Sequence, residues 1–212
     1  MYLRHELDGL STNEVLTLLF ETGTCSFIPY MLLKTLYGTK YTMLPIFKQN
    51  ALLKESGLTA DNTEQTMLAV TKNFVRAQEI VSQIVCGDEE QRHELAVSVL
   101  ENILNRTALA KEPCVGCLMM ASRRPCRYPA REGCIGCEYA IMQKGILFTL
   151  LKKIEATIQA VYEAKTEGER KKLEMLLEYG YVPALQEMLF LLKNIYHMDV
   201  REYIEKYNKL ME

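Results

Sequence analysis

Five cysteines fall within 24 residues, in the run CVGCLMMASRRPCRYPAREGCIGC from Cys114 to Cys137, and no other feature limits the fold so tightly. The surrounding segment, 108–137, holds three prolines, three glycines and four arginines, and neither a helical nor a strand period survives in it. Such a segment has too little apolar surface to offset its chain entropy, so a cross-link must hold it. Two C-x-x-C pairs, Cys114/Cys117 and Cys134/Cys137, stand sixteen residues apart, a spacing within the range of zinc ribbons. A C-x-x-C turn brings two sulfurs to one tetrahedral ion, and Gly116 and Gly136 are expected to let backbone amides face the thiolates. Zinc takes four ligands and five cysteines are on offer. Symmetry alone selects Cys114, Cys117, Cys134 and Cys137 and leaves Cys126 spare, but spacing does not decide the set. Four thiolates leave no open position for water, so the expected zinc is structural. An iron–sulfur cluster is the other group that four thiolates suit. Cys25 and Cys86 lie in helical context and read as small core residues.

Elsewhere the periodicity predicts an all-α fold: a multi-helix lobe over 1–110, the cysteine-rich metal-binding loop over 111–138, and over 139–212 an antiparallel helical hairpin with a short terminal helix. In the first lobe, Ser11 and Glu14 form an S-x-x-E capping box before a helix that Gly23 stops. Helices are expected from Phe27 to Tyr37 and from Pro45 to Gly57, with a turn and cap over 59–62. The next carries Met67, Phe74, Ile80 and Ile84 and closes at Gly87, after which Asp88 caps another. Beyond Cys137 the helical pattern is expected to resume, with a stripe through Leu147, Leu150, Ile154 and Ile158. A turn at 166–168 precedes the partner helix of the hairpin. Pro183 is expected to interrupt that helix, because proline lacks the N–H and clashes with the preceding turn. Asp199 should cap the last helix.

No apolar run approaches the ~20 residues a membrane span needs, and the N-terminal MYLRHELDGL lacks a signal-peptide core. Clustered cysteines in a long helical chain also speak for a reducing compartment, so a soluble, cytoplasmic protein is expected. Charge is uneven. Between 111 and 153 eight basic residues face three acids, a local charge of +5, which leaves −7 for the rest of a chain whose net charge is −2. A basic region on an acidic body suggests an anionic partner there. The candidate nucleic-acid contacts are Arg123, Arg124, Arg127 and Arg131 in the loop, with Lys144, Lys152 and Lys153 extending the track along the next helix. Tyr128 is expected to pack on the metal loop.

The stretch from about 114 to 195 resembles the cysteine-rich C-terminal region of transposon-encoded site-specific recombinases of the tyrosine class. The resemblance rests on Gly116 and Cys117, Pro125 and Cys126, then Cys134, Cys137 and Tyr139, followed by a long basic helix and a partner helix. It implies Cys117, Cys126, Cys134 and Cys137 as the ligands and Cys114 as the extra cysteine. Two departures stand out: the glycine adjoins the first cysteine directly, and proline precedes Cys126 where the family has it after. The catalytic core of such enzymes gathers arginines, histidines, a lysine and a tyrosine nucleophile. Here the histidines are His5, His93 and His197, none in a suitable setting. Phosphate-binding, dinucleotide, nucleophile-elbow and zinc-protease motifs are absent too, so no enzymatic activity and no small-molecule substrate are expected. Residues 27–37 and 44–56 have the outline of a helix-turn-helix, but the second carries only two basic residues and reads as ordinary packing. The expected function is a zinc-stabilised module associated with DNA, as an accessory or C-terminal part of a mobile-element recombinase. The alternative is a zinc-braced protein-interaction adaptor that binds no nucleic acid.

Overall fold

The computed structural model describes residues 12–37, 60–194 and 196–211. Ser11, the helix expected from Pro45 to Gly57 and the cap at Thr59 lie outside them. Among the described residues the chain is mainly helical. Helix α1 spans Thr12–Glu21 and α2 spans Phe27–Tyr37, separated by Gly23 at φ +79°. Helix α3, Ala60–Ile84, already includes Asp61 and Asn62, which the sequence assigned to a turn. Caps and first turns favour the same short polar and acidic residues, so composition alone does not separate them. Gly87 breaks the chain at φ +123°, and α4 spans Glu89–Leu104. Asp88 and Gln91 close a reciprocal capping box there: the Gln91 amide donates to Asp88 Oδ1 at 2.9 Å, and the Asp88 amide to Gln91 Oε1 at 3.3 Å.

The cysteine-rich segment is more ordered than its lack of periodicity predicts. Val115–Cys117 forms strand β1, and Leu118–Ala121 a one-turn helix, α5. Strand β1 pairs antiparallel with β2, Ala140–Met142, in the register Val115 to Met142, Gly116 to Ile141 and Cys117 to Ala140. The expected helix therefore does not resume at 138. After β2 comes a 3-10 turn, Lys144–Ile146, and only then α6, Leu147–Glu163. The reason lies in the packing. Ile141 is buried in one apolar cluster, with α1 to α4, while Ala140 and Met142 are buried in the other, with α6 and the C-terminal helices. Only the two-residue alternation of a strand lets adjacent residues serve opposite faces.

Thr166 caps α7, Glu167–Leu176, which packs on α6. Pro183 does not break the chain that follows. Over Leu177–Tyr181 the helix widens into a π-turn, with the Val182 amide donating to Leu177 O, and it continues as α8, Val182–Asn194. A π-turn absorbs the donor that proline removes without ending the helix. Helix α8 feeds both clusters: Phe190 and Leu191 face the first, Leu185, Met188 and Leu192 the second. Phe27 anchors the first cluster, with its ring 5.6 Å from Phe74 edge-on and 5.9 Å from Phe190. Asp199 accepts from the Arg201 amide at 3.0 Å at the start of α9, Arg201–Met211.

Two contacts tie distant segments to α8 and the π-turn. Glu187 Oε1 accepts from the Phe27 amide at 2.7 Å and so caps α2 from across the fold. Burial pushes the Glu187 carboxyl up to about 7, against the Phe27 amide, Ser26 and Asn73, which favour its charge. Gly136 rests on Gly180: a Cβ at Gly136, where φ is +74°, would stand 2.5 Å from Gly180 Cα.

Replacing Gly136 by Ala should therefore cost at least about 2 kcal/mol, measured by urea unfolding, since a positive φ and a backbone clash coincide. For Glu187 the folded value lies above the unfolded one, so this group's contribution declines as pH rises from 4.5 to about 7. Glu187→Gln should keep the cap and remove that part of the pH slope. Unfolding curves at about pH 5 and about pH 8 give the two slopes, and equal slopes would contradict the assignment.

Candidate metal centre

The five loop cysteines separate by backbone geometry. Cys134 and Cys137 flank a tight turn closed by the Cys137 amide on Cys134 O at 2.9 Å, with Gly136 in the left-handed conformation. This turn is the chelating C-x-x-C shape the spacing predicts. The Cys114/Cys117 pair is different, because the residues between its cysteines are extended. Gly116 does not turn an amide toward sulfur; it lies in the ribbon, where a Cβ would meet Ala108 O at 3.3 Å. Cys114, at φ +60°, turns its Sγ onto Gly145 instead.

Cys117 lies within electrostatic reach of Cys126 and Cys134, and Cys137 within reach of Cys117 and Cys134. Backbone amides point at the sulfurs: those of Met119 and Met120, in the first turn of α5, at Cys117, and that of Tyr139 at Cys137. The Lys111 amide donates to Cys134 Sγ at 3.4 Å. Burial pushes the Cys117 and Cys137 thiols up, and neighbouring thiols add to it, while these amides work the other way. A bound cation would reverse the balance, because coordination deprotonates a thiol outright. All seven cysteines are free thiols, and among the described residues no group of three or more His, Cys, Asp or Glu side chains stands in ready-made metal geometry. The donor set nonetheless fits a four-thiolate ion in kind: soft ligands, amide hydrogen bonds to sulfur and low exposure at three of the four. Of the cysteines read as core residues, Cys25 is buried and Cys86 is exposed.

The basic residues divide in the same way. Arg124 donates to Ile84 O at 3.1 Å and closes the C-terminal end of α3. Arg131 donates to Ile135 O at 3.1 Å, inside its own loop. Lys153 pairs with Glu112. Lys111, counted in the basic region, donates to Pro129 O and Arg131 O at 2.6 Å each. Arg123, Arg127, Lys144 and Lys152 are exposed. The Lys152 ammonium lies 4.6 Å from the Phe148 ring centroid, and the Lys144 stem covers Gly23. Tyr128 packs on the loop, as expected: its hydroxyl donates to Glu138 Oε1 at 2.7 Å, and its ring centroid is 6.2 Å from that of Tyr139. His93 and His197 are exposed.

Three carboxylates outside the predicted site residues organise this region. Glu112 accepts from the Cys134 and Ile135 amides at 2.6 and 2.8 Å. Glu138 joins Tyr128 to Arg76 of α3, 2.7 Å away. Glu187 caps α2. Each partner lies 10 to 160 residues away, so no local pattern marks them. Among the described residues no helix is long and apolar enough to cross a membrane. No protein-family model, no curated protein and no solved structure matches the chain.

Proposed function

We propose that the protein is a binding module braced by one structural zinc ion, held by Cys117, Cys126, Cys134 and Cys137, and that it performs no chemistry of its own. The observation that carries this reading is where the thiols sit. Cys117 packs against the first apolar cluster, Cys134 against the second and Cys137 against both. A cross-link at that seam would brace two clusters that also share α8 and the β-ribbon. Zinc with four thiolates supplies that cross-link and offers no site for an activated water.

For the partner, a protein is the better supported class. Arg124, Arg131 and Lys153, three of the seven cations that a nucleic-acid track would use, are engaged inside the fold. A nucleic-acid role keeps one specific observation in its favour, the exposed Arg123 and Arg127 on the loop rim. The resemblance to recombinase C-terminal regions gives both readings a concrete setting, an accessory part beside a mobile-element recombinase. In that setting the module docks on the recombinase rather than on DNA.

Protein purified under reducing conditions should carry about one zinc per chain, without iron–sulfur colour. Cys126→Ser should lose the metal and Cys114→Ser keep it; the reverse pattern would overturn the ligand set. Metal content by elemental analysis reads both. In gel shifts at ~50 mM salt, duplex DNA should not be retained. Retention with a log K against log salt slope of roughly −2 or steeper, flattened by Arg123→Ala with Arg127→Ala, would instead establish the nucleic-acid reading.

A further inference from the structure

We propose that Glu112 is a positioning residue for the cysteine site: one carboxylate oxygen holds the Cys134–Cys137 turn in shape, and the other ties that turn to α6. The inference rests on reading Cys117, Cys126, Cys134 and Cys137 as zinc ligands. Its basis is the division of labour between the two oxygens. Oε2 accepts both turn amides, from Cys134 at 2.6 Å and from Ile135 at 2.8 Å. Oε1 takes the Lys153 ammonium of α6. The Glu112 side chain is only 16 % exposed, so these amides have little water to turn to if the carboxylate is removed.

The neighbouring backbone strengthens the arrangement. Lys111 gives its amide to Cys134 Sγ, and the next residue, Glu112, takes the amide of that same cysteine. Two consecutive residues thus grip one ligand by its sulfur and by its main chain. Gly133 makes the approach possible, since a Cβ there would stand 3.3 Å from Glu112 Oε2. A metal ligand is only as well placed as the groups that orient it, and loss of such a group costs 10–100-fold in affinity.

Because both amides share one oxygen, Gln can replace Glu without losing the cap. Its carbonyl oxygen takes the place of Oε2, while its amide nitrogen, a donor, replaces Oε1, so both the charge and the acceptor toward Lys153 are lost and the ammonium turns to solvent. The full-length protein, loaded with zinc or cobalt, tests this by competition with a chromophoric chelator and by the cobalt–thiolate absorption bands. Glu112→Ala should loosen zinc by about 10–100-fold and alter the cobalt bands. Glu112→Gln should bind within a few-fold of the wild type with unchanged bands, and Lys153→Met should do the same. Gln as weak as Ala, with Lys153→Met equally weak, would show that the tie to Lys153 rather than the amide cap positions the ligands, and would overturn the assignment of that role to Oε2. Ala as tight as wild type would overturn it equally. A wild type that holds neither metal would instead bring down the four-cysteine reading, a different result that the same titration separates.

Discussion

The Gly136–Gly180 contact is where the cysteine turn meets the π-turn. Backbone rests on backbone there, with no room for a side chain on Gly136. The close approach seats the cysteine turn directly on the π-turn, and the π-turn in turn sets where α8 begins. Helix α8 then contributes side chains to both apolar clusters. The β-ribbon repeats the theme on a smaller scale. Strand β2 divides its side chains, Ile141 to one cluster and Ala140 and Met142 to the other, and Gly116 lets the ribbon lie close against Ala108.

Polar groups complete what the apolar clusters leave open. Glu112, Glu138 and Glu187 each satisfy donors from distant segments, at the cysteine turn, the loop rim and the start of α2. Only Glu187 lacks a cationic partner among the influences on its charge, and its carboxyl is the one pushed up, to about 7. Glu112 and Glu138 are held below the usual carboxylate range: burial opposes their charge, but Lys153 and Arg76 with the surrounding donors outweigh it. The contrast follows from elementary electrostatics: burial disfavours a charge, and a nearby opposite charge or a set of hydrogen-bond donors restores it.

The same bonds change the meaning of the basic region. A count of charges between 111 and 153 suggests a surface for an anion. In the fold, Arg124, Arg131, Lys111 and Lys153 serve as internal donors to carbonyls and a carboxylate. Arginine and lysine suit this work, since a loop with few apolar residues has many backbone carbonyls to satisfy and few strands or helices to do it. A charge cluster therefore reports how such a loop is held together as much as what it binds.

What the sequence determined by itself was local. Helical periods marked α2 from Phe27 to Tyr37, Asp88 marked the cap of α4, Asp199 marked the last helix, and C-x-x-C spacing with Gly136 marked the turn at 134–137. These signals work because caps, turns and helical faces are made by residues within a few positions of one another. Tertiary structure decided the rest. Nothing in the run VGC says that it pairs with AIM; in that arrangement Cys114 Sγ lies against Gly145 while Cys117 is within electrostatic reach of Cys126 and Cys134. Nothing near Pro183 says that the helix will widen rather than end, and the widened turn lies against Gly136, a residue of a distant segment. Which cysteines meet, and which cations stay free for a partner, is set by contacts between residues far apart in the chain, and such contacts leave no periodic trace in a single sequence.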